Sequence, residues 1–372
     1  MSRSTLTVAA TQMVLCLAFV PGSEAQLFQT PVNYDTRGSY PTSVAIADLS
    51  ADGRPDVVAV NENSGTLSVL RGNGDGTLQG ALTYPAGNIP YCVSLGDFNR
   101  DGKLDAAVGN RMGFGTSRVS ILLGNGDGSF QGPVSYGPLQ DAFSFAVADF
   151  TSDRKLDIVV ADTAVGTLML GKGDGTFRRG IPIGVTNPLA FAVGDFNGDH
   201  ERDLVAASSS GSSVVALLGN GKGSFAQSDS NVVATPPDAL VVADFNGDGF
   251  LDVASADEAV NNQGSNVAIL LGNGDGTFQS AVEYPVGSEP RSIAARDFNG
   301  DRKIDLVTAN QFDGTLTVLL GNGDGTFQLA ITLASGGITP TSVAVGDLNG
   351  DGRPDLVVAQ PSNDAVSVLL HD

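Results

Sequence analysis

The chain has 372 residues, 48 of them glycine, with no tryptophan, two histidines and two cysteines, and its 41 acidic against 20 basic residues leave a formal net charge of −21. A surface this negative repels phosphate backbones and argues against nucleic-acid binding. With 41% hydrophobic residues, only 16% charged, and Val, Leu, Ile and Ala recurring in short blocks, the composition also argues against disorder.

The first element in chain order, residues 1–25, reads as a secretory signal. Arg3 supplies the positive start, Leu6 to Val20 the apolar stretch, and Ser23-Glu24-Ala25 the small residues that a signal peptidase reads. The apolar stretch is shorter than the ~20 residues a bilayer span needs. The expectation is export, into the periplasm or the medium. Cys16 lies within the stretch, and Leu15 before it is too bulky for a lipoprotein site. Cleavage would leave one thiol, Cys92, so the fold has to be stabilised by something other than a disulfide.

Residues 26–372 contain seven copies of one unit. Its marker begins at Asp48, Asp97, Asp149, Asp195, Asp244, Asp297 and Asp347, at intervals of 49, 52, 46, 49, 53 and 50 residues. Each copy predicts four short strands. The first resembles Ser43 to Ala47, the second Asp56 to Val60, the third Val267 to Leu271, and the fourth runs from Phe278 to Tyr284 after a glycine-rich turn. No sustained helical period appears. Seven four-stranded units without helices predict an all-β fold, a seven-bladed β-propeller whose radial packing leaves few exposed strand edges. The seventh copy ends at Asp372 before its fourth strand, and Phe28 to Tyr34 matches Phe278 to Tyr284. The N-terminal strand is therefore expected to close the last blade.

The marker reads D-x-N-x-D-G-x-x-D. In the fifth copy it is complete, with Asp244, Asn246, Asp248, Gly249 and Asp252. Side-chain oxygens at positions 1, 3, 5 and 9 with a carbonyl at position 7 can surround one hard cation, and calcium takes about six to eight oxygens near ~2.4 Å. Candidate ligands in the first copy are Asp48, Ser50, Asp52 and Asp56; in the second Asp97, Asn99, Asp101 and Asp105; in the third Asp149, Thr151, Asp153 and Asp157. The fourth offers Asp195, Asn197, Asp199 and Asp203, the sixth Asp297, Asn299, Asp301 and Asp305, and the seventh Asp347, Asn349, Asp351 and Asp355. Aspartate and asparagine also form ordinary turns, but a turn needs one or two of them rather than three carboxylates at fixed spacing. Position 6 is glycine in four copies and Arg154, His200 or Arg302 in the others, where a side chain strains a left-handed backbone. Sites two, five and seven rank best and site three worst. Seven divalent ions, carrying fourteen positive charges, would bring −21 to −7.

These features resemble the FG-GAP or VCBS repeat family, including the calcium-bearing blades of integrin α-subunit propellers. The resemblance covers essentially all of residues 26–372 and implies up to seven calcium ions, one between the first and second strands of each blade.

Other motifs carry less. Runs such as Gly72 to Gly76 lead into strands rather than helices, so they read as hairpin turns and not phosphate cradles. The aromatic or leucine at loop position 2 (Phe98, Phe150, Phe196, Phe245 and Phe298, with Leu49 and Leu348) repeats as packing would. His200 lies in a loop and His371 beside the last residue, so no Ser-His-Asp set or zinc-type cluster is evident. Alternating strand direction places the carboxylate loops and glycine turns on one face and the variable connections on the other. Recognition is expected on that variable face, with Tyr40, Tyr91, Arg111, Phe114, Phe143, Arg291 and Phe312 and the loop 261–265 as candidates. The expectation is a monomeric, non-enzymatic recognition or adhesion module for a glycan or surface protein. A lyase-like polysaccharide enzyme and a purely structural spacer remain the alternatives.

Overall fold

The computed structural model describes residues 27–111, 117–139, 141–162, 164–257 and 265–372. The proposed export signal, Phe114 and most of the loop 261–265 lie outside the described residues. The chain forms seven antiparallel sheets of four strands each. In the first blade the strands are Pro41–Ala47, Asp56–Asn61, Thr66–Leu70 and Leu82–Pro85. The helical element among the described residues is one 3-10 turn, Pro361–Asn363.

Burial follows radial position. Second strands such as Asp56–Asn61 and Asp305–Asn310 are buried at every residue, because both faces of a blade pack on neighbouring blades. Their Val, Ala and Leu side chains therefore form unbroken apolar runs where a one-sided sheet would alternate. Outer strands such as Leu82–Pro85 are largely exposed. The core divides into one cluster per blade interface. At the seam Val44, Val57 and Leu70 of the first blade meet Val357, Ala359 and Val366 of the seventh.

The ring closes as the chain ends suggest. Val32–Asp35 pairs antiparallel with Ala365–Leu369, with Val32 opposite Val368 and Asp35 opposite Ala365, and Phe28 bridges to His371. In every blade but the fourth, where it runs Phe225–Val232, the last strand begins later than the sequence suggests. In the fifth blade it is Val282–Pro285, while Phe278 makes only an isolated bridge to Gly272. Its ring is drawn inward, edge-on to Phe196 of the preceding blade at 5.6 Å, so this stretch of backbone serves packing rather than the ladder.

The same contact recurs around the ring. Phe98, Phe150, Phe245 and Phe298 meet Phe177, Phe225, Phe327 and Phe28 of the following blade edge-on at 5.6–5.8 Å. Backbone bonds reinforce it: Gly175 N–H donates to the Phe98 carbonyl, Gly223 to Phe150, Gly276 to Phe196 and Gly325 to Phe245. Between blades six and seven, His371 Nε2 lies 2.5 Å from the Phe298 carbonyl and takes the place of the glycine N–H.

Candidate functional sites on the two faces

The seven carboxylate loops share one backbone course. Positions 4 and 6 are left-handed in all of them, from Ala51 and Gly53 to Gly350 and Gly352. Each position is glycine in four of the seven loops, so both left a signal in the sequence; position 4, which sequence reading passed over, holds Ala51, Arg100 and Ser152 at φ 54–64° in the other three. The third loop carries a side chain at both, Ser152 and Arg154, in keeping with its low rank; the fifth and seventh have glycine at both.

The fifth loop shows how the carboxylates are held. Asp244 is half-buried and its Oδ2 accepts from Gly249 N–H at 2.9 Å; Asp248 is exposed and its Oδ1 accepts from Phe250 N–H at 2.8 Å. Asn246 Oδ1 accepts from Asp248 N–H at 3.0 Å. Asp252 is fully buried, its Oδ2 accepting from Phe245 N–H at 2.8 Å and its Oδ1 from Gly272 N–H at 2.7 Å. The ninth aspartate thus ties its loop to the turn after the third strand. Asp56, Asp105, Asp157, Asp203, Asp305 and Asp355 repeat the arrangement. Sequence reading assigned these residues to metal alone and missed the staple.

As to a cation, the donors are all oxygen, which suits calcium. Burial pushes the Asp252 carboxyl up, backbone N–H groups hold it back, and the charges of Asp248 and Asp244 push it further. In blades three and six the same causes bring Asp157 and Asp305 to about 6. Each loop therefore sets three like charges in mutual repulsion, which a bound cation would relieve. As placed, however, no three Asp, Glu, His or Cys side chains among the described residues form a group that could hold a metal ion. Exposed members are partly engaged elsewhere, Asp153 with Lys155 at 2.7 Å and Asp351 with Arg353 at 3.1 Å.

The opposite face opens into a central funnel of about 810 Å³, lined by the innermost strand of every blade and the connections above them. Tyr40, Tyr91, Arg111, Phe143 and Arg291 all line it, although 251 residues separate the first from the last. Phe312 does not; it is 76% exposed. Sequence reading missed Glu62, Asp238 and Gln311, which also line the funnel. A signal was available. The second residue of the innermost strand is Thr42, Tyr91, Leu189, Asp238 or Arg291 in different blades, variable in chemistry inside an otherwise repetitive unit.

Two charged arrangements line the funnel. Arg291 is held by Asp238 at 2.5 Å and donates to Gln311 at 2.8 Å. Arg111 stacks instead on aromatic faces, its guanidinium carbon 4.6 Å from the Tyr91 centroid and 4.8 Å from that of Phe143. The two rings meet edge-on at 5.9 Å. Burial raises Glu62, and the nearby Arg111 charge pulls it back down. Burial also pushes the Cys92 thiol up to about 12, so this cysteine in the funnel wall stays protonated.

The FG-GAP-like repeat family model matches residues 48–108, 110–160, 149–206, 195–255, 244–308 and 297–358. The chain belongs to the FG-GAP-like repeat family. Five of the six matches open on the first aspartate of a carboxylate loop and run into the second strand of the next blade, so the FG-GAP unit is out of phase with the blade. Among solved structures, the chain resembles a lectin of Agrocybe aegerita, described by its specific recognition of non-reducing terminal N-acetylglucosamine. That likeness has 22% identity and a TM-score of 0.52, covering 79% of this chain and 80% of the lectin. It also resembles BBS1N, solved in complex with ARL6DN in crystals soaked with lead or mercury, at 16% identity and a TM-score of 0.64, covering 93% of this chain and 97% of that one. These likenesses concern the fold. No curated protein matches. Among the described residues no helix is long and apolar enough to cross a membrane.

Beneath the variable face, six of the seven blades end their second strands on a buried polar residue, blade three ending on Ala161. Asn61 donates to Thr66 and Ser68, Asn110 to Ser120, and Asn310 to Thr315 and Thr317. Blade five has Asp257 there instead, with Ser255 donating to its Oδ1 at 2.7 Å and its Oδ2 without a partner among the described residues. Burial pushes this carboxyl up to about 8, with Glu283 and Asp238 adding repulsion. An acid whose folded value lies above its unfolded value near ~4 destabilises the fold as pH rises between the two, and the loss is complete above the folded value. Asp257→Asn removes the titration. Its melting temperature should match that of the unsubstituted protein near pH 4 and exceed it at pH 8, by about 2–4 kcal/mol in stability. Melts across that range check this; an unchanged pH slope would show that Asp257 is ionised in the fold.

Proposed function

We propose that this FG-GAP protein is an exported, calcium-binding recognition module that holds a glycan or a surface protein in its central funnel without transforming it. One observation carries the reading: five of the seven residues singled out on the variable face converge on one funnel, on a rigid closed ring. Polar groups and aromatic faces together suit a ligand with both hydroxyls and apolar ring faces. A lectin among the fold neighbours is consistent with a sugar, though likeness at 22% identity speaks only to fold.

Calcium belongs to the other face in this reading. Asp244, Asn246 and Asp248 with the Phe250 carbonyl would take the ion in blade five, Asp252 bracing the loop from behind, and the six equivalent loops would do likewise. The ion supplies positive charge that offsets carboxylate repulsion and so stiffens the scaffold. The repeated oxygen donors and the net charge of −21 support it. Export is supported by residues 1–25 as read from sequence.

The test is a glycan and surface-protein array probed with the unsubstituted protein and with a Tyr91→Ala/Phe143→Ala double variant. Binding to a defined ligand, lost in the variant by at least tenfold, is expected. Binding that survives both truncations would place the ligand outside the funnel. Release of shortened or unsaturated sugar chains would replace recognition by the lyase reading.

A further inference from the structure

Resting on the reading of the funnel as a recognition surface, we propose that its ligand is an acidic sugar chain of the uronate class, whose carboxylate is received by Arg111. In a chain with twice as many acidic as basic residues, a cation in a cavity would be expected to carry a carboxylate partner. Arg291 does, in Asp238. The Arg111 guanidinium makes no hydrogen bond or ion pair among the described residues, Glu62 being close enough only to feel its charge, and the side chain is half-buried against two rings.

Stacking fixes the plane of the guanidinium while leaving its N–H edge unspent, and that edge matches a carboxylate bidentately. Partial burial strengthens the pairing relative to open water. Blades one and six place Glu62 and Gln311 at the equivalent position, so the cation is particular to blade two rather than a feature of the repeat. The remaining wall offers Thr42, Asn63, Ser94 and Gln311, which are hydroxyl and amide groups suited to sugar hydroxyls. A volume of about 810 Å³ admits an oligosaccharide. The negative charge of the remaining surface makes a local cation the requirement for holding an anion at all.

Calorimetric titration with trigalacturonate, galactotriose and sulfated galactotriose tests the proposal, on the unsubstituted protein and on Arg111→Gln, which copies the residue of blade six. Trigalacturonate should bind at least tenfold more tightly than galactotriose, and the variant should lose that preference while melting at the same temperature. Arg111→Lys serves if the glutamine variant fails to fold, and should lose at least threefold, since a point charge replaces the fork. Equal binding of the neutral and acidic trisaccharides overturns the inference and leaves sugar recognition standing. Preference for the sulfated ligand overturns the uronate assignment. Binding of none of the three, with a surface protein captured on the array, overturns the inference alone; no ligand on either assay overturns the recognition reading with it.

Discussion

Asp305→Ala should destabilise the protein by about 3–5 kcal/mol, a loss read from urea or thermal melts with chelator present so that no ion contributes. Both oxygens of this buried carboxylate accept backbone N–H groups, Phe298 at 2.8 Å and Gly321 at 2.7 Å. Alanine leaves two buried donors unpaired, each costing about 1–3 kcal/mol. The position amplifies the loss. Phe298 packs edge-on against Phe28, and its carbonyl is met by His371, so the sixth loop helps to hold the ring closed. Asp305→Asn keeps one acceptor oxygen and should cost about half as much. A loss below about 1 kcal/mol for alanine would show that the staple contributes little beyond the desolvation of its own charge.

Calcium should raise the melting temperature by at least about 10 °C between excess chelator and 1 mM free ion. Extracellular calcium modules bind at about 10⁻⁴ to 10⁻³ M. A ~0.1 mM site at ~1 mM free calcium adds roughly 1.4 kcal/mol, and seven such sites approach ~10 kcal/mol, comparable to the stability of a whole domain. Substituting Asp244 and Asp248 together by asparagine should remove one bound ion and a seventh of the gain, whereas the same change at Asp149 and Asp153, in the loop with side chains at both left-handed positions, should matter less. A melt indifferent to chelator, with fewer than about four ions bound, would defeat the calcium reading. The loops would then be held by their N–H bonds and by pairs such as Lys155 with Asp153.

The two experiments separate two roles that share one motif. The ninth aspartate is buried and stapled by backbone N–H groups alone, while the first and fifth lie toward solvent, where their mutual repulsion is the reason a cation would bind. Conditions that favour one role need not favour the other: burial raises Asp305 to about 6, so mild acid would protonate it and withdraw one of its oxygens from acceptance.

What the sequence determined was whatever recurs. Seven marker loops with four apolar or β-branched runs apiece define seven blades, because strand order and turn chemistry are local. The match between Phe28 to Tyr34 and Phe278 to Tyr284 went further and named the closing strand, since a repeat missing at one end and present at the other leaves one way to complete the sheet. Loop position 2 was readable as inter-blade packing for the same reason. Tertiary structure decided what does not recur. Tyr91, Phe143 and Arg111 stack together, and Asp238 reaches Arg291 across 53 residues of chain, only because the ring turns the start of every innermost strand toward one axis. Nor could spacing reveal that the ninth aspartate spends its oxygens on two backbone N–H groups, or that Asp257 replaces a neutral side chain in a buried site. Periodicity reports which residues share an environment; partners brought together by closure, and the desolvation they meet there, depend on the three-dimensional path.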